Sequence, residues 1–307
     1  MSQKTIIFIN FRFGSFYSAD LLSRVKQLGD HRIVAVLDDY FKENIPHEFE
    51  QQLDHIYNTS TQLKYDFLYE FNYDELKRII LNEMQQFAQN EIVLICTDEF
   101  NLLAIGKLRD EFDLWGAKYD DLVKCRDKLM MKDLLHSKGI RVPKCMHFNQ
   151  IRDLTSKEAY EVICHQISSN IIVKPIDSCG SQGVYHIQTL DEFAAFHRKN
   201  EWQASTYEIE EYIQGKLYHI DSVTENGETV FLEASVYSCP NHELTQGKVL
   251  ASKPVIRDQY LKNRLHEFAQ KTLEALNIRH CVNHMEVFEQ NGELVFWKLR
   301  QDRLAPF

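Results

Sequence analysis

The sequence predicts an α/β domain over roughly the first 120 residues, followed by an α+β region. Three observations carry this. Up to about residue 120, apolar runs of strand length alternate with amphipathic helical stretches, the spacing of a parallel sheet covered by helices. From residue 171 the texture changes to short strands and hairpin turns, with Asn226-Gly227 and Asn291-Gly292 as turn signals. At 307 residues the chain has the length for two or three domains with substantial cores.

Taken in order, Thr5 to Asn10 reads as a strand, Ala19 to Leu28 as an amphipathic helix, and Arg32 to Leu37 as a second strand ending at Asp38-Asp39. Residues 73–89 repeat apolar side chains at Leu76, Ile79, Ile80, Met84 and Phe87, a helical period. Glu91 to Cys96 is a third strand and Asn101 to Glu111 another helix. Phe13-Gly14-Ser15, after the first strand, is a candidate phosphate turn resting on one glycine. Residues 120–138 are predicted as a single charged helix, stopped by Gly139 with Pro143 beyond it. Strands are expected in pairs at 171–174 with 184–187 and 207–213 with 218–223, then at 229–237 after Asn226-Gly227. Lys262 to Leu276 is a helix, and strands 282–289 and 293–299 flank Asn291-Gly292. No internal repeat or low-complexity tract is present.

Composition narrows the function classes. Hydrophobic residues make up 44% of the chain, as in a globular protein. A formal net charge of −10 argues against wholesale binding of a nucleic-acid backbone but allows a small phosphorylated ligand held by a few lysines. The seven cysteines are scattered and never spaced Cys-x-x-Cys, which disfavours a disulfide framework and a zinc knuckle and suggests a reducing compartment. No signal pattern or membrane-length apolar run is seen, so a cytoplasmic protein with no membrane partner is expected.

The most informative stretch is Val173-Lys174-Pro175 followed by Ser178-Cys179-Gly180-Ser181-Gln182-Gly183-Val184. An apolar run delivers a lysine, a small-residue loop follows, and a second apolar run returns. Glycines let a backbone approach a ligand closely, N–H groups of such a loop can hold phosphate oxygens, and a lysine adds positive charge. The loop fits neither Gly-x-x-x-x-Gly-Lys-Ser/Thr nor Gly-x-Gly-x-x-Gly. Taken alone it is equally an ordinary hairpin with a lysine at its base.

Further motifs fall in order around it. Arg126-Asp127-Lys128 opens a helix running through Met130-Met131-Lys132-Asp133-Leu134-Leu135 to Gly139-Ile140-Arg141-Val142-Pro143. Ile209-Glu210-Glu211-Tyr212-Ile213-Gln214-Gly215 leads into His219-Ile220-Asp221, and His284-Met285-Glu286-Val287-Phe288 precedes a final hairpin. This order and spacing resemble the ATP-grasp superfamily, in its carbamoyl-phosphate-synthetase-like and D-alanine-ligase-like branch, over roughly residues 90–295. Asp98-Glu99-Phe100 also looks like that branch's N-terminal domain.

The resemblance implies an N-terminal α/β domain over 1–120 and an ATP-grasp domain whose two subdomains, 121–200 and 201–307, clamp a nucleotide. It implies that Lys128 and Lys174 contact ATP phosphates, that Gly180, Ser181 and Gly183 lie in a loop closing over them, and that Glu210, Glu211 and Ile213 form a hinge strand along the adenine. There the backbone groups of 211 and 213 serve as donors and acceptors. Glu286 is implied as a ligand of Mg²⁺, the cation that accompanies ATP. The implied chemistry passes the γ-phosphoryl to a small-molecule carboxylate, and an amine (or thiol) attacks the acyl phosphate; a homodimer is compatible with it. His284 and Glu286 share a strand face and, with His280, also admit a transition-metal site, although a structural histidine is the commoner outcome.

Two positions depart from the family pattern. Leu217 stands where a glutamate usually binds ribose, at a cost of about 1.5–3 kcal/mol for one charge-assisted hydrogen bond. In the last strand Lys298 and Arg300 stand where Glu-x-Asn supplies the rest of the metal site, with Arg303 one residue away from the usual arginine. If Gln290-Asn291-Gly292 is a three-residue loop, Glu286 and Lys298 share a face. With a two-residue turn Glu286 faces Trp297 instead. In the first case an ammonium about 4 Å from Mg²⁺ repels it by about 8 kcal/mol at an effective dielectric of 20, twice the unit-charge figure. The chain stops at Phe307 where many relatives continue, so the departures suit a divergent ATP-grasp protein or a replaced final segment. Two function classes therefore stand open: an ATP-dependent carboxylate–amine ligase, or a nucleotide-binding module with a degraded Mg²⁺ site. A biotin-carboxylase relative ranks behind both.

Overall fold

The computed structural model describes residues 3–9, 18–65, 68–88, 91–96, 98–176, 183–199, 207–240 and 247–301. Residues up to Val123 make one compact unit and Lys124–Gln301 another.

The first unit is built on a four-stranded parallel sheet of order β3-β2-β1-β6. Its strands are β1 (Lys4–Ile9), β2 (Arg32–Leu37), β3 (His55–Asn58) and β6 (Glu91–Cys96). Period-two alternation sends Ile7, Ile9, Val34, Val36 and Leu94 to one face, against α4 (Tyr73–Gln86) and α5 (Leu102–Glu111). Ile6, Phe8, Ile33, Ala35 and Leu37 go to the other, against Leu22 of α1 (Ala19–Gly29). Each buried Ile, Leu or Phe contributes about 1.5–3 kcal/mol, which is why these strands are apolar on both faces. The unit also holds α2 (Asp39–Glu43), α3 (His47–Glu50), a hairpin of β4 (Thr61–Tyr65) and β5 (Leu68–Phe71), and α6 (Tyr119–Val123). The Phe13-Gly14-Ser15 turn lies outside the described residues.

The second unit carries two antiparallel sheets. The smaller has the order β7-β10-β8-β9, from β7 (Cys145–His147), β8 (Ile171–Pro175), β9 (Tyr185–Ile187) and β10 (Tyr207–Glu211). Helices α8 (Ser156–Gln166) and α9 (Leu190–Lys199) cover one face, where Ile163 and Phe193 pack on Ile171, Val173 and Ile209. The larger has the order β13-β12-β11-β14-β15, from β11 (Lys216–Glu225), β12 (Glu228–Tyr237), β13 (Ser252–Pro254), β14 (Cys281–Gln290) and β15 (Glu293–Gln301). Helix α10 (Gln259–Ala275) belongs to this half and buries Leu265, Ala269 and Leu273. No helix among the described residues is long and apolar enough to cross a membrane.

Two expectations are corrected and one open alternative is decided. The single helix over 120–138 is two, α6 and α7 (Lys128–Ser137). Asp127 restarts the chain as an N-cap, its carboxylate accepting from Leu129 N (3.0 Å) and Met130 N (2.9 Å). Residues 207–213 and 218–223 are not a hairpin: β10 pairs with β7 and β8, while β11 pairs with β12 and β14 in the other sheet. The last turn has two residues, since Gln290 pairs with Glu293 and Asn291 and Gly292 take φ of 53° and 84°. Those are the left-handed angles of a type I′ hairpin turn.

Candidate functional site

The face of the smaller sheet turned away from α8 and α9 is charged. With Ile171, Val173 and Ile209 turned to the core, Lys174, Glu208 and Glu210 point the opposite way, and Glu208 lies directly across from Lys174. Helix α7 presents Lys128 and Lys132, one turn apart, to the same face. The Lys132 ammonium sits between Glu208 Oε2 (2.8 Å) and the Glu210 carboxylate, all three fully buried. Lys174 Nζ donates to Glu210 Oε1 at 2.6 Å, and the Trp297 indole N–H donates to the same oxygen at 2.8 Å. The Trp297 ring stands 4.8 Å from the Lys174 ammonium. Lys128 Nζ donates to the carbonyls of Pro175 (3.1 Å) and Ile176 (2.8 Å), the two that follow Lys174.

Electrostatics separate these cations. Burial disfavours every charge here. For Lys132 the two carboxylates overcome it and hold the ammonium protonated, above its ordinary range. Lys174 has one close carboxylate and feels Lys132, so burial wins and its pKa falls. Glu210 is pressed down to about 2, Lys132 and Lys174 outweighing burial. Lys128 is lowered to about 7, first by burial and then by Lys174, Arg126 and Lys298, with Glu208 opposing. Burial sets most of that fall, and the neighbouring cations add to it.

A second charged row crosses the larger sheet. The register aligns His219 with Glu286 and Lys298, and Asp221 with His284 and Arg300. A two-residue turn alone would put Trp297 opposite Glu286. Instead a bulge between Glu286 and Val287 leaves Trp297 as the extra residue and returns Lys298 to the position facing Glu286. Lys298 Nζ then lies 3.3 Å from Glu286 Oε1, and His284 Nε2 3.4 Å from the same atom. Asp221 ties the row together, with Oδ1 2.7 Å from His284 Nδ1 and Oδ2 2.9 Å from His219 Nδ1. Tyr237 OH is 3.1 Å from His284 Nε2, and His219 Nε2 is 2.6 Å from Ser252 Oγ. Burial lowers the His284 pKa, but Asp221 and Glu286 overcome it and raise it to about 9. Glu286 resists burial through Lys298 and His284 and is held at about 2.

Residues 167–305 match the family model described as an ATP-grasp domain. That part of the chain is an ATP-grasp domain. It is 24% identical over 214 residues to the L-arginine-specific L-amino acid ligase of Bacillus subtilis, covering 66% of this chain and 49% of that protein. The chain thus spans about half the length of the curated relatives it matches. Among solved structures, an L-amino acid ligase from Bacillus licheniformis superposes with a TM-score of 0.72 at 14% identity, over 98% of this chain and 68% of that one. The biotin carboxylase domain of the Hydrogenobacter thermophilus 2-oxoglutarate carboxylase, solved with MgADP, ADP and bicarbonate, gives 0.70 at 14% identity, over 99% and 65%. These likenesses establish the ATP-grasp fold.

Within the ATP-grasp domain, the site residues expected from sequence fall as follows. Lys128 and Lys174 converge at the start of the glycine loop, of which Gly180 and Ser181 lie outside the described residues. Gly183, at φ 67°, marks the return; a Cβ there would meet Pro175 Cγ at 2.9 Å. Glu210 is turned wholly into the lysine cluster. Glu211 pairs through its side chain with Arg141, and its N–H is already donated to the Lys144 carbonyl (2.9 Å), so it is not a free donor for a ligand. Ile213 is buried with Leu217, Phe288, Val295 and Trp297. Leu217, in the ribose glutamate's place, is therefore part of an apolar cluster that leaves a carboxylate no room to be solvated. Sequence reading passed over Lys132, Glu208 and Trp297 as partners, and His219 and Asp221 as companions of His284. The period-two pairs Glu208-x-Glu210, His219-x-Asp221 and His284-x-Glu286 were the available signal.

The Mg²⁺ implied at Glu286 can be tested against this donor set. Mg²⁺ takes oxygen ligands at about 2.0–2.1 Å in near-octahedral array. Here the Glu286 carboxylate is already countered by an ammonium and an imidazolium, and the β15 residues facing Glu286 and His284 are Lys298 and Arg300. An ion bound to Glu286 would stand about 4 Å from the ammonium and be repelled by about 8 kcal/mol. The residues do not fit a metal at this position.

Proposed function

We propose that this chain binds ATP and uses it to join a small-molecule carboxylate, of the amino-acid class, to an amine. The observation that carries the reading is the convergence of Lys128 on the carbonyls after Lys174, at the mouth of the glycine loop, inside an ATP-grasp domain. Two ammonium groups beside a run of small residues suit a polyphosphate, and the activities of the relatives favour amino-acid substrates. In the reaction a carboxylate oxygen bonds to the γ-phosphorus as the β–γ bridging bond breaks, and ADP leaves. The amine nitrogen then bonds to the acyl carbon, phosphate departs with the C–O electron pair, and the nitrogen gives up a proton. Fixed lysines facing the transferring group stabilise charge that is spread over its oxygens.

The test is ADP release from ATP with pairs of amino acids, with the product followed by mass spectrometry. ADP and a condensed product confirm the ligase. ATP binding without turnover on any pair favours a nucleotide-binding module instead. Absence of ATP binding overturns both.

A further inference from the structure

We propose that Lys298 is a tethered cation that replaces the divalent ion of this site, so that the chain holds a nucleoside triphosphate without a metal. The inference rests on the ATP reading and concerns the phosphate end of the ligand alone. Its basis is the bulge at Trp297. Without that extra residue Lys298 would point off the charged face; with it, the ammonium lies 3.3 Å from Glu286 Oε1. Glu286 is 2% exposed and cannot follow solvent, whereas the Lys298 side chain keeps 22% of its surface accessible. A carboxylate anchor behind a partly open ammonium holds the charge at a fixed place without covering it. The Trp297 ring, 5.2 Å from the ammonium, limits where it can swing.

Three further observations agree. Lys298 is close enough to Lys128 to contribute to its lowered pKa, so the two cations act on one region. Among the described residues Lys132 and Lys174 pair with Glu208 and Glu210, which leaves Lys298 as the cation set against Glu286. His284 shares the anchor, its Nε2 lying 3.4 Å from the same oxygen of Glu286. Hence the substitution that rejects Mg²⁺ also brings a positive charge to the place where a metal would have supplied one.

The experiment measures ATP binding to the full chain by calorimetry in EDTA and in Mg²⁺, with tripolyphosphate as a second probe lacking adenosine. The expected result is ATP affinity in EDTA within about threefold of that in Mg²⁺, and measurable tripolyphosphate binding in EDTA. Lys298→Gln should weaken both ligands in EDTA at least tenfold, while Lys298→Arg keeps most of the affinity. Glu286→Gln supplies a second handle. An anchor of Lys298 can be lost with ATP binding retained in EDTA, whereas a metal ligand cannot be lost without abolishing a Mg²⁺-dependent affinity. The proposal is overturned by ATP binding tenfold or more tighter in Mg²⁺ than in EDTA, or by a folded Lys298→Gln chain that binds within twofold of the original. If ATP binds in neither buffer, the ATP reading itself falls.

Discussion

Replacing Lys132 should unfold this protein more readily than replacing any other lysine of the site. Its ammonium is 1% exposed and bridges Glu208 and Glu210, which are 0% and 1% exposed. In Lys132→Met, Glu210 keeps Lys174 at 2.6 Å and the Trp297 indole at 2.8 Å. Glu208 keeps only Lys174, at 3.6 Å. One buried carboxylate is thereby left largely uncompensated, and breaking a buried pair from one side costs about 3–5 kcal/mol. At about 2–4 °C per kcal/mol for a domain of this size, the melting temperature should fall by roughly 6–20 °C. Urea unfolding followed by tryptophan fluorescence measures the change. The double variant Lys132→Met/Glu208→Gln should recover at least half of it by removing the orphaned charge. A single variant within 1 kcal/mol of the parent at pH 7, or no recovery in the double, would refute the reasoning.

Other consequences can be measured on the same protein. Lys174→Ala should weaken ATP binding more than tenfold in calorimetry while leaving the chain folded, because Lys132 still holds Glu210; equal loss of binding in folded Lys132 and Lys174 variants would show that the two lysines have been ranked wrongly. His284 should titrate near pH 9 by histidine NMR, and Asp221→Asn should lower the midpoint. Its folded pKa lies above the ordinary 6.5, so its contribution to stability is complete below about 6.5 and is lost as pH rises through 9; a midpoint at or below 6.5 contradicts the Asp221 and Glu286 contacts. Lys128, at about 7, is largely neutral at pH 8 and should regain a proton when a polyphosphate arrives. The calorimetric enthalpy of ATP binding at pH 8 should then vary with the buffer's ionisation enthalpy, and Lys128→Met should remove most of that variation.

Much of the framework was legible because it is local. The parallel strands are continuous apolar runs, and the Asn-Gly turns specify tight hairpins. The ATP-grasp motifs fall in sequence order. What was missed depends on distance or on a single residue. Lys132 meets Glu208 and Glu210 across 76 and 78 positions, and on a charged helix nothing distinguishes it from a solvated lysine. The pairing of β10 with β7 and β8 was hidden because a strand carries no mark of which neighbour it will take. The break at Asp127 was readable, since an Asp before an apolar-periodic run is an N-cap signal. The bulge at Trp297 was not, because one unpaired residue leaves the apolar alternation of β15 nearly unchanged while turning the next side chain to the other face.

The lysines of the site divide their work according to what neutralises them. Lys132 is held between two carboxylates, so a ligand has little left to gain from it, and its charge serves to keep Glu208 and Glu210 ionised and in place. Lys174 shares Glu210 with Lys132 and Trp297; an arriving phosphate would compete with one carboxylate and gain a cation that burial already disfavours. Lys128 donates to two peptide carbonyls, which orient the ammonium without cancelling its charge, and its lowered pKa measures how much it would profit from an anion. Fixed cations are useful to phosphoryl chemistry only if they need no rearrangement when charge develops. The buried glutamates provide that rigidity, at the cost of part of the attraction. Affinity for phosphate should therefore depend least directly on Lys132, the most deeply paired lysine, and most on Lys128 and on Lys298, which itself stays partly open.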